Sequence, residues 1–279
     1  MDQMQPLRMS SKITIALPDS ILENEDTLLL KTMKIGSLSR TITMFRVAKL
    51  LFYQDSSNFK DKKILNDLFT YLQCPPYLRK YLPSIPNLRY TAILPPLHSP
   101  NHTGVCMNDI TFIAGRVNEQ NSHDGKIIVD IGKKTPLYFP QGNFVNKGQF
   151  VIIKKQFNDY SIEKGLPFDG YWYTQHQLLE LPLNQFLKKF HTQFYVIGAS
   201  KSGENISKTH MNLLKMGRNS AYLLAFGPLK GVFRSYVKED NLIDKWINFV
   251  PNQATKTVKI EEALHSALSI MNMYSLDFK

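Results

Sequence analysis

The stretch "INFVPNQATKTVKIEEALHSALSIMN" (Ile247–Asn272) decides how the chain is read. A polar loop interrupted by Pro251, and carrying Asn248, Asn252, Gln253, Thr255 and Thr257, runs into a regular helical pattern. Leu264, Ala267, Leu268 and Met271 fall at i, i+3, i+4 and i+7, which predicts an amphipathic helix with one core face. Glu261 and Glu262 stand in its first turns, where negative charge suits the helix dipole. They therefore read as helix-stabilising rather than as a catalytic carboxylate pair. A loop that only had to turn could be shorter and richer in glycine. This one is composed to present backbone groups and amide side chains to something.

Two further segments upstream have the same texture. "FYVIGAS" predicts a strand running into the loop "IGASKSGENIS" (Ile197–Ser207), and "SAYLLAFGPLKG" predicts a strand running into "FGPLKG" (Phe226–Gly231). In open parallel sheets, ligands bind beyond the carboxyl ends of strands, where loops and helix N-termini project donors. Gly198, Gly203, Gly227 and Gly231 would let a ligand approach the main chain. Taken singly, each strand followed by glycine is also what a plain turn looks like. No loop matches the Walker phosphate pattern or G-x-G-x-x-G, so a conventional nucleotide fold loses ground.

The N-terminal part carries the same α/β rhythm. "KITIALP" alternates around Ile13, Ile15 and Leu17 and predicts a strand closed by Pro18. A helix through Arg40 to Phe45 and a buried strand at Lys49–Tyr53 follow, a β-α-β unit that points to a parallel sheet. Ile64, Leu65, Leu68, Phe69 and Leu72 predict a helix stopped by Pro75 and Pro76. "NLRYTAILPPL" reads as another strand.

From about His98 to Gly165 the texture changes to short β-rich runs: "TFIAGRVNE", "GKIIVDIG", "TPLYFP" and "GQFVIIKKQ". They predict a small β-barrel inserted into the α/β domain, with tight turns at Asp124–Gly125 and Lys147–Gly148. The expected organisation is residues 1–97 and 166–279 as two parts of one α/β domain, with residues 98–165 as the insert.

Lys and Arg outnumber Asp and Glu 34 to 23 in 279 residues, a formal +11, which fits a polyanionic partner such as RNA; mere solubility is the alternative. Cys74 and Cys106 are too few for a Cys-rich zinc site or a disulfide framework. The N-terminus lacks the apolar core of a signal peptide, and no run approaches the ~20 apolar residues of a membrane span. A soluble intracellular protein, cytoplasmic and with nuclear association open, is expected.

Several strings match a known family. They are "IALPDSIL" (Ile15–Leu22), "KTMKIGSLSRTITMFRV" (Lys31–Val47), "YLQCPPYLRKYL" (Tyr71–Leu82), "LPPLHSPNH" (Leu94–His102) and "VPNQATKTVKIEEAL" (Val250–Leu264). Through them nearly the whole chain resembles the SPOUT-class RNA methyltransferases, in the archaeal and eukaryotic branch with an OB-like insert and uridine-N3 methylation. The resemblance implies a SPOUT-like parallel sheet whose C-terminal part is threaded into a trefoil knot, an exception to the rule against knotted chains. It also implies a homodimer and S-adenosyl-L-methionine as cofactor, with no metal.

On the same basis the cofactor is expected at Gly198, Ser200, Ser202 and Gly203, at Phe226, Gly227, Leu229 and Gly231, and at Asn248, Phe249, Val250, Pro251, Asn252, Gln253 and Thr255. "GSLSR" keeps Gly36 and Arg40 of the family's usual Gly-Gln-Ile-Ala-Arg, and Arg40 is the implied residue for placing the target base and stabilising charge there. A guanidinium is a poor base, so electrostatic orientation is its first role. Two departures stand out: Ser202 replaces the Arg of the family's Gly-Thr-Ser-x-Arg-Gly, with Lys201 as a substitute, and His98 replaces a common Asp. His98 and His102 flank Pro100 in a loop able to approach substrate or merely incidental.

RNA contacts are expected from the insert through Arg116, Lys133 and Lys134, with Tyr138 and Phe139 as aromatic candidates, and from Arg79 and Lys80 of "YLRKYL". Oligonucleotide-binding barrels combine basic grooves with stacking aromatics. Neighbours on a strand must point to opposite faces, so Tyr138 and Phe139 should split between surface and core. The leading expectation is an RNA methyltransferase acting on uridine N3 of ribosomal RNA. The alternative is a non-catalytic RNA-binding or ribosome-assembly factor that kept the fold.

Overall fold

A computed structural model describes residues 13–55, 59–121, 126–140, 145–166, 170–208, 221–237 and 239–276. They form two compact units. One comprises residues 13–69, Asn87–Pro95 and 174–276, and the other Thr70–Pro86 and Pro96–Tyr173.

The first is an α/β unit. Strand β1 (Ile13–Pro18) is buried at every position, as a central strand of a parallel sheet covered on both faces must be. The chain then passes through helix α1 (Leu28–Met44) to β2 (Lys49–Tyr53), which lies parallel to β1 with Thr14 opposite Lys49. Thr27 caps α1 by accepting from the Leu30 N–H at 3.2 Å. Helix α2 (Phe59–Gln73) follows, with Ile64, Leu65, Leu68 and Phe69 buried as their spacing predicts. The sheet is completed by β9 (Gln175–Leu178), β10 (Phe194–Asn205), β11 (Ala221–Phe226) and β12 (Lys245–Asn248), in the order β12-β10-β11-β1-β2-β9, every pair parallel.

On one face Ala16, Leu51, Tyr53, Val196, Leu223, Ala225 and Trp246 pack against α4 (Leu183–Phe190) and α5 (Phe233–Val237). Phe52 alternates to the other face and meets Phe69 of α2 at 5.4 Å between ring centroids. Helix α6 (Ile260–Leu276) runs beside α1, with Phe45 edge-on to His265 and Arg46 Nη2 donating to Asn272 Oδ1 at 2.7 Å.

"NLRYTAILPPL" does not form the strand its apolar residues suggest. It makes two short 3-10 turns, Pro86–Leu88 and Thr91–Ile93. Pro86, Pro95 and Pro96 remove ladder donors, and Thr91 Oγ1 donates to the Leu88 carbonyl at 2.8 Å, closing the segment locally.

The second unit is an antiparallel sheet built from β3 (Val105–Met107), β4 (Ile110–Asn121), β5 (Lys126–Asp130), β6 (Leu137–Pro140), β7 (Phe150–Gln156) and β8 (Asp159–Glu163). Its order is β6-β5-β4-β7-β8, with β3 on β4. The twelve-residue β4 pairs with β7 from Ile110 to Arg116 and with β5 from Arg116 to Asn121, with a register shift between Val117 and Glu119. Such an irregularity bends a strand. Leu137 and Phe139 from one edge strand and Tyr160 and Ile162 from the other pack on one core with Val117, Val129 and Ile153, so the sheet curls into a barrel-like form. The predicted turn at Lys147–Gly148 is present, with Gln149 N–H donating to the Asn146 carbonyl at 3.0 Å. The one predicted at Asp124–Gly125 lies outside the described residues.

Candidate functional site

Because β12, β10 and β11 are adjacent and parallel, the segments leaving their carboxyl ends emerge along one edge of the sheet. These are the three loops singled out in the sequence. The first differs from a simple strand-to-loop transition. Strand β10 continues through it, and Ala199 and Glu204 both register against Ile247, so residues 200–203 are extruded as a bulge. Gly203 seats that bulge on β12. A Cβ there would stand 2.5 Å from the Ile247 carbonyl carbon and 2.8 Å from the Asn248 nitrogen, closer than any side chain tolerates. Gly198 meets the Trp246 ring in the same way, at 2.5 Å from Cε3. Main chain thus packs on main chain at Gly203 and on the Trp246 ring at Gly198.

Side chains tie the first and third loops together. Asn248 Nδ2 donates to the Lys201 carbonyl at 3.1 Å, and Lys201 Nζ donates to the Lys256 carbonyl at 3.4 Å. Within the third loop, Asn248 Oδ1 accepts from the Val250 N–H and Gln253 Nε2 donates to the Thr255 carbonyl at 2.9 Å. Asn252 takes the left-handed conformation, φ 57°, which Asn adopts more readily than most residues and which turns the chain after Pro251. The amides of Asn248 and Gln253 therefore shape the loop. Ser200 and Ser202 face each other, Oγ to Oγ 3.1 Å. Phe226 and Phe249 are buried, while Gly227, Leu229, Val250 and Pro251 are half-buried and Gly231 and Thr255 exposed.

Arg40 sits further along α1 than the residue that reaches the head of α6. Helix α1 starts at the carboxyl edge after β1 and returns to the amino edge, where β2 begins. Arg40 stands six residues beyond Lys34, whose Nζ reaches Glu261 at the head of α6 at 3.8 Å, and so about 9 Å further along the helix. It lies on an exposed face of α1 with Met33, Ser37 and Met44.

A polar cluster that the motif reading passed over occupies the same edge one and two strands away. Asp19 and Ser20 directly follow β1, and Asp55 lies two residues beyond β2. Asp55 accepts from the Ser20 N–H at 2.9 Å and from Ser20 Oγ at 2.6 Å, its own N–H donates to Asp19 Oδ1 at 3.1 Å, and Lys62 pairs with Asp19 at 2.8 Å. Burial, with the neighbouring Asp19 carboxylate, pushes the Asp55 carboxyl up to about 6. The available signal was positional: "PDS" and "QD" end two adjacent parallel strands.

In the barrel unit the basic residues divide into two groups. Lys80 pairs with Asp130 at 2.6 Å, the Arg116 guanidinium lies 4.3 Å from the Tyr81 ring centroid, and that of Arg79 lies 4.3 Å from Tyr71. Asp130 also accepts from Tyr81 Oη and the Gly132 N–H. These cations are engaged in holding "YLRKYL", a 3-10 turn at Pro76–Tyr81, within its unit. Lys133 and Lys134 stand exposed in the connection after β5. Tyr138 is 59% exposed and Phe139 5%, the split that their neighbouring positions on β6 require. His98 is exposed. His102 is buried in the short helix α3 (Pro100–Thr103), with Nε2 3.3 Å from the Gln73 carbonyl, and burial pushes its imidazole down to about 4. It is a neutral structural histidine.

Residues 12–271 match a family model described as "Putative RNA methyltransferase". The chain is 24% identical to a 28S rRNA (uridine-N(3))-methyltransferase of Drosophila melanogaster, over 94% of this chain and 62% of that protein. A human protein of the same name is 24% identical over 93% of this chain and 77% of its own length. An uncharacterised protein of Haloarcula marismortui is 24% identical over 93% and 98%. The chain thus spans less than two thirds of the fly relative. With the family model covering nearly its whole length, the chain belongs to this RNA methyltransferase family, of the SPOUT class that its motifs resemble.

Proposed function

We propose that the protein is an S-adenosyl-L-methionine-dependent RNA methyltransferase that methylates uridine N3 in ribosomal RNA. The observation that carries this reading is the convergence of three loops on one carboxyl edge of the parallel sheet, the first and third tied to each other through Asn248 and Lys201 and the first seated on β12 at Gly203. Family membership and the relatives' names support the reaction and its target.

In the overall reaction the uridine N3–H bond is exchanged for an N3–methyl bond, giving S-adenosylhomocysteine and a proton. The bound cofactor would supply an electrophilic sulfonium methyl group. The main chain around Gly198–Gly203, Phe226–Gly231 and Asn248–Thr255 would hold it, which explains why the side chains of Asn248 and Gln253 are spent on fixing that main chain. Holding two reactants in line is worth up to about 7–11 kcal/mol, so loop rigidity is itself catalytic. Arg40 would place the uracil ring and stabilise negative charge as N3 loses its proton.

Homodimerisation would reconcile Arg40 with the loops. Leu29, Leu30, Met33 and Met44 of α1 are exposed to between 37 and 55%, beside Arg40. A second copy covering that face would carry its own loops toward Arg40. The trefoil threading is part of this proposal, with β10 lying between β12 and β11 in the sheet. The RNA is held in this reading by the exposed Lys133, Lys134 and Tyr138, aided by the formal +11.

The test is mass-spectrometric comparison of ribosomal RNA nucleosides from deletion and complemented strains, alongside calorimetry with S-adenosylmethionine. N3-methyluridine that disappears and is restored supports the assignment. An unchanged profile, or no binding up to millimolar ligand, rejects it.

A further inference from the structure

The second cofactor loop is tied to a strand it does not pair with. Strand β11 ends at Phe226, and its neighbour on that side is β1, with Ala225 opposite Ala16. Tyr53 closes β2, one strand further, yet its Oη donates to the Phe226 carbonyl oxygen at 2.8 Å in a fully buried contact. To do so the side chain must cross β1, strands being about 4.8 Å apart. Ala16 and Ala225, on the same core face as Tyr53, supply the space. Burial, and after it the nearby Asp55 carboxylate, hold the phenol pKa well above its usual value, so the hydroxyl keeps its proton and donates.

The far side of the loop returns to the same post. Tyr236, in α5 just beyond Gly231, donates its Oη to the Gln54 carbonyl at 3.0 Å and packs its ring 5.8 Å from that of Tyr53. The post is itself braced. Gln54 N–H donates to the Leu181 carbonyl at 3.0 Å, and Asp55 is held by Asp19 and Ser20.

From this geometry we infer that Tyr53 and Tyr236 are positioning residues that fix the Phe226–Gly231 loop at both ends for cofactor binding, with the Gln54–Asp55 segment as their anchor. The inference rests on the cofactor reading above. Neither tyrosine is assigned contact with the cofactor; each acts through the main chain.

Tyr53→Phe and Tyr236→Phe retain the rings and delete the hydroxyls. Hydrogen exchange of residues 227–232, affinity for S-adenosylmethionine and for RNA, and KM against kcat are the readouts. Exchange at 227–232 should quicken about tenfold in either variant, one buried hydrogen bond being worth about 1 kcal/mol or somewhat more. The KM for S-adenosylmethionine should rise by a similar factor, with RNA affinity unchanged and kcat within about twofold. Tyr236→Phe, at the partly exposed end, is the control should Tyr53→Phe fold poorly. Exchange and cofactor affinity that both stay at the wild-type level would overturn the inference, as would equal losses of cofactor and RNA affinity. If the wild-type protein binds no S-adenosylmethionine, the cofactor reading falls by itself, and exchange at 227–232 still decides whether the two hydroxyls anchor the loop.

Discussion

The two units present chemistry in opposite ways. At the carboxyl edge of the α/β unit main chain packs closely at Gly203, and the polar side chains of Asn248, Lys201 and Gln253 hold loops in place. In the barrel unit the basic side chains face the surface, and several of its cations are matched by Asp130, Tyr81 and Tyr71. In the barrel Lys80, Arg79 and Arg116 thus have partners within the unit, and at the edge Asn248 and Gln253 bond to loop main chain.

Arg40 is the exception on which this contrast can be broken most sharply, since it is a side chain assigned a direct role. Arg40→Ala should lower kcat by about 100- to 1,000-fold, the usual effect of losing one charge-stabilising donor, and leave S-adenosylmethionine affinity unchanged. Steady-state methylation with separate calorimetry checks this, and equal losses in both would make Arg40 a structural residue.

At the edge itself the decisive change is a backbone one. Gly203→Val should weaken S-adenosylmethionine binding by about 5- to 150-fold, because overfilling a closed contact costs about 1–3 kcal/mol. Ser202→Ala should change it little. Calorimetry on both variants, with circular dichroism to confirm folding, would show the opposite ranking if side chains carried the site.

The units should also respond oppositely to pH. His102 titrates at about 4 in the folded barrel unit against 6.5 for an ordinary imidazole. Between those values the unfolded chain binds the extra proton, so stability rises with pH, by about 2 kcal/mol after allowing for residual exposure. Asp55 titrates at about 6 against 3.8, so the folded α/β unit holds the extra proton and stability falls as pH rises through that window. The chain has two tryptophans, and Trp172 and Trp246 lie in different units. Urea unfolding of single-tryptophan variants should show the Trp172 midpoint rising from pH 4 to 6.5 and the Trp246 midpoint falling from pH 4 to 6. His102→Gln should flatten the first trend.

The smallest effect belongs to the exposed lysines. Replacing Lys133 and Lys134 together by Ala should weaken RNA binding roughly tenfold and reduce the salt slope by about 1.4, two single-strand phosphate contacts at about 0.7 each. Arg79→Ala should lower the stability of the barrel unit with little change in that slope. A salt titration of RNA affinity separates the two.

The parallel α/β core was legible because burial on both faces leaves its mark on local sequence. The strands predicted at "KITIALP" and "KLLFY" form at Ile13–Pro18 and Lys49–Tyr53, and the amphipathic spacing of Leu264, Ala267 and Leu268 puts all three in the core. "NLRYTAILPPL" has the apolar content of a strand, but the prolines at its ends lack ladder donors and it folds into 3-10 turns. The loop motifs showed where the main chain would be exposed. They did not show that residues 200–203 bulge from a continuing strand, since that depends on what Ile247 pairs with.

By itself, then, the sequence determined the parallel sheet, the β-rich segment and where the second and third loops leave the sheet, because hydrophobic period, proline and glycine act locally. Tertiary structure alone decided that Asn248 and Gln253 serve the loop and that Lys80 and Arg116 are engaged within their unit. It also decided that Tyr53 reaches Phe226 across an intervening strand. Each of these depends on residues far apart in the chain meeting at hydrogen-bond or ring-contact distance, and strand order sets that proximity.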